Sequence, residues 1–326
     1  MNLTLTASEF RAEHAARPGL IPVQIDPLQR TALWMDLNGY HCYEGSFRRS
    51  LAAYTAMRAG ARRPSDPWQC LSSLDFLSST ANTADCIAPT GFIFHAGRCG
   101  STLLAKVMAR SLEHLVFGEG GPHNQIWRLN SLDTDVLLRN LILHTGRRRL
   151  RSYRAHIVKF TSFNIVRLGC IRSAFPETPA LFLFRHPAQI LASYRRMAPG
   201  WMGADIGSGT IWHSAEAAVA DFFRGALRAG NDLACLDYAD LTADRLPAIL
   251  RFFHLAPSRT DVELMRGEFS WDAKANHAWA PHPAAIPETE PAVSRELLVL
   301  YEELRARRTV DFQPGECTAQ TGQVRY

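Results

Sequence analysis

From Gly91 onward the chain alternates short apolar runs with longer stretches of helical periodicity. The runs at 91–95, 155–160, 180–185 and 232–238 each read as a buried strand followed by a helix-prone segment, and 115–117 adds a strand after the first helix. Strands that alternate with helices imply a parallel sheet covered on both faces, a three-layer α/β arrangement. Right-handed crossovers then bring every strand's C-terminal end, and the loops beyond, to one edge of the sheet. A ligand site is expected on that edge.

The pattern before Gly91 is different. Residues 21–36 hold two short β-prone runs around Asp26-Pro27, which predicts a small hairpin. In 47–62, Leu51, Tyr54 and Met57 recur every three positions, which predicts an amphipathic helix ending before Gly60. Residues 61–69 then read as a linker. The expected organisation is a small α+β N-terminal extension over 1–88 and a main domain over 89–326, without internal repeats or low-complexity tracts.

Composition narrows the function. Hydrophobic residues are 47% and charged residues 21%, ordinary for a globular protein. Against 31 acidic residues stand 36 Lys and Arg, a net +5 too mild to imply nucleic acid but compatible with a small anionic ligand. Seven scattered cysteines without a C-x-x-C pair indicate neither a disulfide framework nor a zinc site. No apolar run reaches membrane-spanning length, and Glu and Arg interrupt the N-terminus where a signal peptide would be apolar. A cytoplasmic protein without membrane association is expected.

The chemistry concentrates after the strand at 91–95. Gly97-Arg98-Cys99-Gly100-Ser101-Thr102 separates that strand from a helix carrying Leu103, Leu104, Val107 and Met108. Two glycines let successive N–H groups converge on one anion. The helix N-terminus adds partial positive charge, Ser101 and Thr102 add hydroxyls, and Arg98 adds a guanidinium. The lysine that follows the second glycine in nucleotide kinases is absent; the basic residue stands earlier, at Arg98. Cys99 sits beside Arg98 at a helix start, where a thiol pKa falls. With no Cys/His pairing logic in the sequence, it reads as a small loop residue.

This loop resembles the 5'-phosphosulfate loop of the sulfotransferase superfamily. A second likeness follows in Arg185 and Ser193, which have the spacing of the family's 3'-phosphate site, and a third in Tyr238-Ala239-Asp240-Leu241 before a helix that Asp240 is expected to cap. The resemblance covers about 91–255, with the three motifs in the family's order. It implies a P-loop NTPase-like fold and a bacterial-type enzyme that uses 3'-phosphoadenylyl sulfate as donor, releases adenosine 3',5'-bisphosphate and requires no metal. The sulfuryl group would go to a hydroxyl or amine of a small-molecule acceptor. Lys274 falls where family members carry a basic loop over the nucleotide.

For the reaction, Arg98 is the basic candidate nearest the bridging oxygen, and Lys159, at a strand's C-terminal edge, is a second cationic donor. Where cytosolic aryl and steroid sulfotransferases have a catalytic His two residues on, this chain has Thr161. The base must then come from another loop. The resemblance makes Glu119 in Phe117-Gly118-Glu119-Gly120 the first candidate, since several bacterial and carbohydrate sulfotransferases place a catalytic Glu there, with burial expected to raise its pKa; His123, in an apparently flexible turn, is the second. His95, His186 and His213 read as packing or surface residues. Trp201, Met202, Trp212 and Trp271 are candidates to line an acceptor cavity. Two rival readings are a P-loop nucleotide-dependent kinase and a non-catalytic nucleotide-binding relative.

Overall fold

The computed structural model describes residues 3–37, 39–60, 68–79, 83–129, 133–207, 209–271 and 293–307. Lys274 lies outside them. The main sheet contains β5 (Pro89–His95), β6 (His114–Gly118), β7 (Ala155–Lys159), β8 (Ala180–Phe184) and β9 (Ala234–Asp237). All its pairings are parallel, in the order β6-β7-β5-β8-β9. Every expected strand is present, within a few residues at each end.

Alternate side chains of these strands feed two cores, as the period-two geometry of a strand requires. Phe92, Phe94, Val158, Phe182 and Phe184 join the core shared with α5 (Thr134–Thr145), α6 (Leu168–Ala174), α8 (Ala215–Arg228) and α11 (Arg295–Ala306). Ile93, Val116, Ile157, Leu181, Leu183 and Leu236 join the opposite core, shared with α3 (Ser101–Met108), α9 (Leu246–Phe252) and α10 (Arg259–Glu268). The result is a three-layer α/β fold. Because β5 has β7 on one side and β8 on the other, the chain winds away from it in both directions. The loop after β5 therefore sits at a switch point, where open parallel sheets form their ligand crevice.

The N-terminal segment forms a four-stranded sheet of its own from β1 (Leu3–Thr4), β2 (Leu20–Asp26), β3 (Thr31–Asp36) and β4 (Gln69–Ser73), in the order β1-β4-β3-β2. β2 and β3 are the expected hairpin, and Asp26 Oδ1 accepts from the N–H groups of Leu28 and Gln29 in its turn. α1 (Ala7–Ala16) starts at a reciprocal Thr6/Glu9 cap, and α2 is Phe47–Ala59. Two expectations need correction. Gln69, read as linker, begins β4, and Met57 faces solvent, leaving Tyr54 and Phe47 to bury that helix.

The extension is not a separate lobe. Phe10, Trp34 and Phe76 share one core with the main domain, and buried Arg147 donates to the carbonyls of His14, Arg17 and Leu20. Among the described residues, no helix is long and apolar enough to cross a membrane.

Candidate functional site

The loop after β5 closes tightly. Gly97 and Gly100 both have positive φ, +79° and +84°. A Cβ on Gly97 would stand 1.8 Å from the Tyr194 hydroxyl, and one on Gly100 would meet the Tyr238 ring at 2.6 Å. Both positions accept only glycine, so the loop turns tightly with its backbone packed directly against the two tyrosines. Gly100 is the N-cap of α3, whose first turn has no preceding carbonyls for its N–H groups. Arg98 also has positive φ (+52°), a strained conformation for a side-chain-bearing residue and one that recurs at functional loops.

The loop's side chains divide by direction. Cys99 points inward, donates through Sγ to the Leu183 carbonyl at 3.2 Å, and has its thiol pushed up by burial to about 11. That is opposite to the acidification a helix start promotes, so only its backbone is available to a ligand. Ser101 is buried. Arg98 donates to the Met197 carbonyl at 2.6 Å and lies over the Tyr194 ring. Beside the loop, Arg185 reaches from the end of β8 with its guanidinium 4.4 Å from the Tyr238 ring centre. Its Nε donates to Gln189 at 2.6 Å and its Nη1 to the Arg98 carbonyl at 3.4 Å. Ser193 stands two turns along α7 (Pro187–Arg196), half-buried.

On the other side of β5 is a charged cluster. Lys159 at the end of β7 is fully buried, and its Nζ sits 2.6 Å from Glu119 Oε1. The ammonium also donates to the Gly45 carbonyl at 3.2 Å and to Thr102 Oγ1 at 3.4 Å, linking the extension, β7 and the start of α3. Glu119 follows β6 with a positive φ of +50°, and its N–H donates to the Lys159 carbonyl at 2.6 Å. Gly118 makes room for the extension, since a Cβ there would lie 2.5 Å from the Gly45 carbonyl oxygen.

The protonation of Glu119 differs from expectation. Burial pushes its carboxyl up, as anticipated, but the Lys159 charge and then His95 outweigh that push and hold it well below the usual carboxylate range. His95, read from sequence as packing, ends β5 with Nε2 3.4 Å from Glu119 Oε1. Its apolar strand shows no sign of this; the only available signal was its position at a strand's C-terminal end.

His123 is not brought to this cluster. Instead of a flexible turn, 121–125 form a short helix, α4 (Gly121–Gln125). His123 packs there against Phe117 and Phe160, and burial drives its pKa down to about 3. A ring enclosed this way does not reach an acceptor. Thr161 accepts from Asn124 Nδ2 at 2.9 Å and belongs to a polar chain through Asn164 to Trp127. Trp201 and Trp212 pack with Phe222 in the core, while Trp271 sits apart, beside Tyr43, Arg110 and Glu268. Asp240 does not cap α9; it pairs with Arg245 at 3.7 Å. Asp237 caps the turn at 238–240 instead, and its other oxygen accepts from Tyr301.

No protein-family model matches this sequence, and no curated protein matches it. Among solved structures it is similar to a sulfotransferase domain from the curacin biosynthetic pathway, with 13% identity over 68% of this chain and 98% of the other and a TM-score of 0.44. It is also similar to mouse sulfotransferase SULT7A1 complexed with PAP, with 13% identity over 71% and 86% and a TM-score of 0.36. A third is sulfotransferase STF1 from Mycobacterium tuberculosis H37Rv, with 15% identity over 83% and 97% and a TM-score of 0.38.

Proposed function

We propose that this chain transfers a sulfuryl group from 3'-phosphoadenylyl sulfate to a hydroxyl or amine of a small molecule. The observation that supports this most is the place of Lys159, whose ammonium stands between a carboxylate, Glu119, and the phosphate-type loop at Thr102. The residues present suit a polyanionic donor. Two glycines let the loop turn tightly at a helix N-terminus, and Arg98, Lys159 and Arg185 surround it. Free thiols at all six cysteines among the described residues support a reducing, cytoplasmic setting.

The donor supplies an activated sulfur with a phosphate leaving group. The loop N–H groups with the Ser101 and Thr102 hydroxyls hold its 5'-phosphate, and Arg185 with Ser193 holds its 3'-phosphate. Lys159 turns from Glu119 toward the transferring group and neutralises charge gathering on its oxygens. Once that ammonium leaves, burial again pushes the Glu119 carboxyl upward, toward the range a general base needs. Glu119 takes the acceptor's proton as the acceptor forms its bond to sulfur and the bond from sulfur to the 5'-phosphate breaks. Residues 1–88 support this cluster through Gly45 and do not act as an independent domain.

Thermal melting tests the donor. Adenosine 3',5'-bisphosphate at a hundredfold excess over its Kd is expected to raise Tm by about 5 °C. AMP, without the 3'-phosphate, is expected to raise it far less. Equal shifts sink the reading, and magnesium-dependent phosphate transfer from ATP would replace it with the kinase.

A further inference from the structure

His95 is a buried imidazole at the C-terminal end of β5, and both of its nitrogens face defined groups. The Gly97 N–H donates to Nδ1 at 3.0 Å. A ring that accepts at Nδ1 carries its proton on Nε2. That Nε2 stands 3.4 Å from Glu119 Oε1 without a completed hydrogen bond. Lys159 holds the same oxygen at 2.6 Å. Oε1 therefore has a first partner, Lys159, and a second donor already placed behind it.

Charged groups acting on the ring are Glu119 after β6 and Lys159 of β7. Cys99 of the loop and Tyr194 of α7 lie around the same strand end, both held neutral by burial. Burial, assisted by Lys159, also keeps His95 itself below its ordinary pKa, so the ring is neutral at pH 7.

We infer that His95 is the positioning residue that keeps Glu119 aimed when Lys159 turns to the transferring group. This rests on the reading of Glu119 as proton acceptor. Nε2–H takes over Oε1, and Oε2 is left to receive the acceptor's proton. His95 neither gains nor loses a proton. Because its other nitrogen is bound to Gly97, the orientation of the carboxylate is tied to the phosphate loop itself.

Two variants separate the ring's contacts. His95→Asn keeps an acceptor near Nδ1 for Gly97 but falls short of Glu119; His95→Gln carries an amide N–H toward the Nε2 position. Imidazole 15N NMR of the ligand-free full chain should show a neutral Nε2–H tautomer for His95 at pH 7. An Nδ1–H tautomer or an imidazolium overturns the inference before any variant is made. Carboxyl 13C titration should show the Glu119 pKa raised in His95→Asn relative to wild type and His95→Gln; no rise overturns it. In turnover, His95→Asn should lower kcat roughly tenfold to a hundredfold with donor KM little changed. His95→Gln should recover most of that loss, and equal losses in both mean the ring only packs. Were the wild type to transfer sulfate to no acceptor while the 15N and 13C results held, the proposed function would fail and the His95 contact would stand.

Discussion

The two halves of the site hold charge in opposite ways. Around 97–102 and Arg185 the loop turns on two glycines packed against tyrosines, Cys99 turns its thiol inward, and Arg185 is half-buried against a tyrosine face. Across β5, Lys159 and Glu119 are spent on each other, one fully buried and the other about a third exposed. In the first half the guanidiniums of Arg98 and Arg185 rest on neutral carbonyl and amide groups and face no acidic partner among the described residues. The second must break an ion pair before it can act, and a buried pair resists that because each charge loses its compensation. The proposed function puts donor binding and chemistry on opposite sides of one strand, and the variants below act on one side or the other.

Lys159→Met should give the largest effect. It removes the cation from the transferring group and leaves Glu119 unpaired. Turnover is expected to fall about a hundredfold to a thousandfold, the scale of losing an electrostatic donor to a developing charge. Folding stability should fall by roughly 2 kcal/mol, less than for a fully enclosed pair because Glu119 retains some water. The Kd of adenosine 3',5'-bisphosphate, which has no sulfuryl group, should change far less than turnover. If isothermal titration shows binding lost to the same extent as turnover, the two halves are not separate.

How much of this was legible in the sequence also follows the division. The loop, Arg185 and Ser193 are local: a strand, a few residues of loop or helix, and a fixed spacing. Such features survive reading in one dimension. The charged cluster is assembled from Gly45, His95, Glu119 and Lys159, four segments that meet only because β6-β7-β5 pair in that order and Gly118 lets the extension approach. Glu119 and Lys159 could be nominated as candidates, but their ion pair, and hence the direction of the Glu119 pKa, could not. His95 is buried, as a packing residue is, but its closeness to Glu119, 24 positions away across the sheet, left no local mark in the sequence. In the extension, α1 with its reciprocal Thr6/Glu9 cap went unread, and β4 was hidden behind a proline-containing stretch that reads as linker.

Gly97→Ala tests the loop half at its backbone. The substitution forces a Cβ into positive φ, which costs about 1–2 kcal/mol alone, and drives it into the Tyr194 hydroxyl. As the loop relieves that strain by leaving its binding conformation, affinity for adenosine 3',5'-bisphosphate should drop about fivefold to thirtyfold. Adding Tyr194→Phe removes the struck oxygen but not the φ penalty, so the double variant should recover part of the loss. Calorimetric titration of both variants measures this; unchanged affinity in Gly97→Ala would mean that the loop backbone is not the cradle.

Cys99→Ala should do least, and for that reason it tests the comparison most narrowly. A thiol pushed up to about 11 is protonated at working pH, and its Sγ–H is engaged by the Leu183 carbonyl inside the core. Losing that weak bond should cost about 1 kcal/mol of stability. Donor affinity and kcat should remain within about threefold of wild type, a change below about 0.7 kcal/mol, since the thiol is fully buried against the Leu183 carbonyl. Iodoacetamide supplies an independent readout: in the folded chain exposed Cys170 should be alkylated and Cys99 spared. A Cys99→Ala variant that folds, binds adenosine 3',5'-bisphosphate and yet loses turnover would place chemistry on the loop's own side chain, and the assignment of binding to one side of β5 and reaction to the other would have to be redrawn.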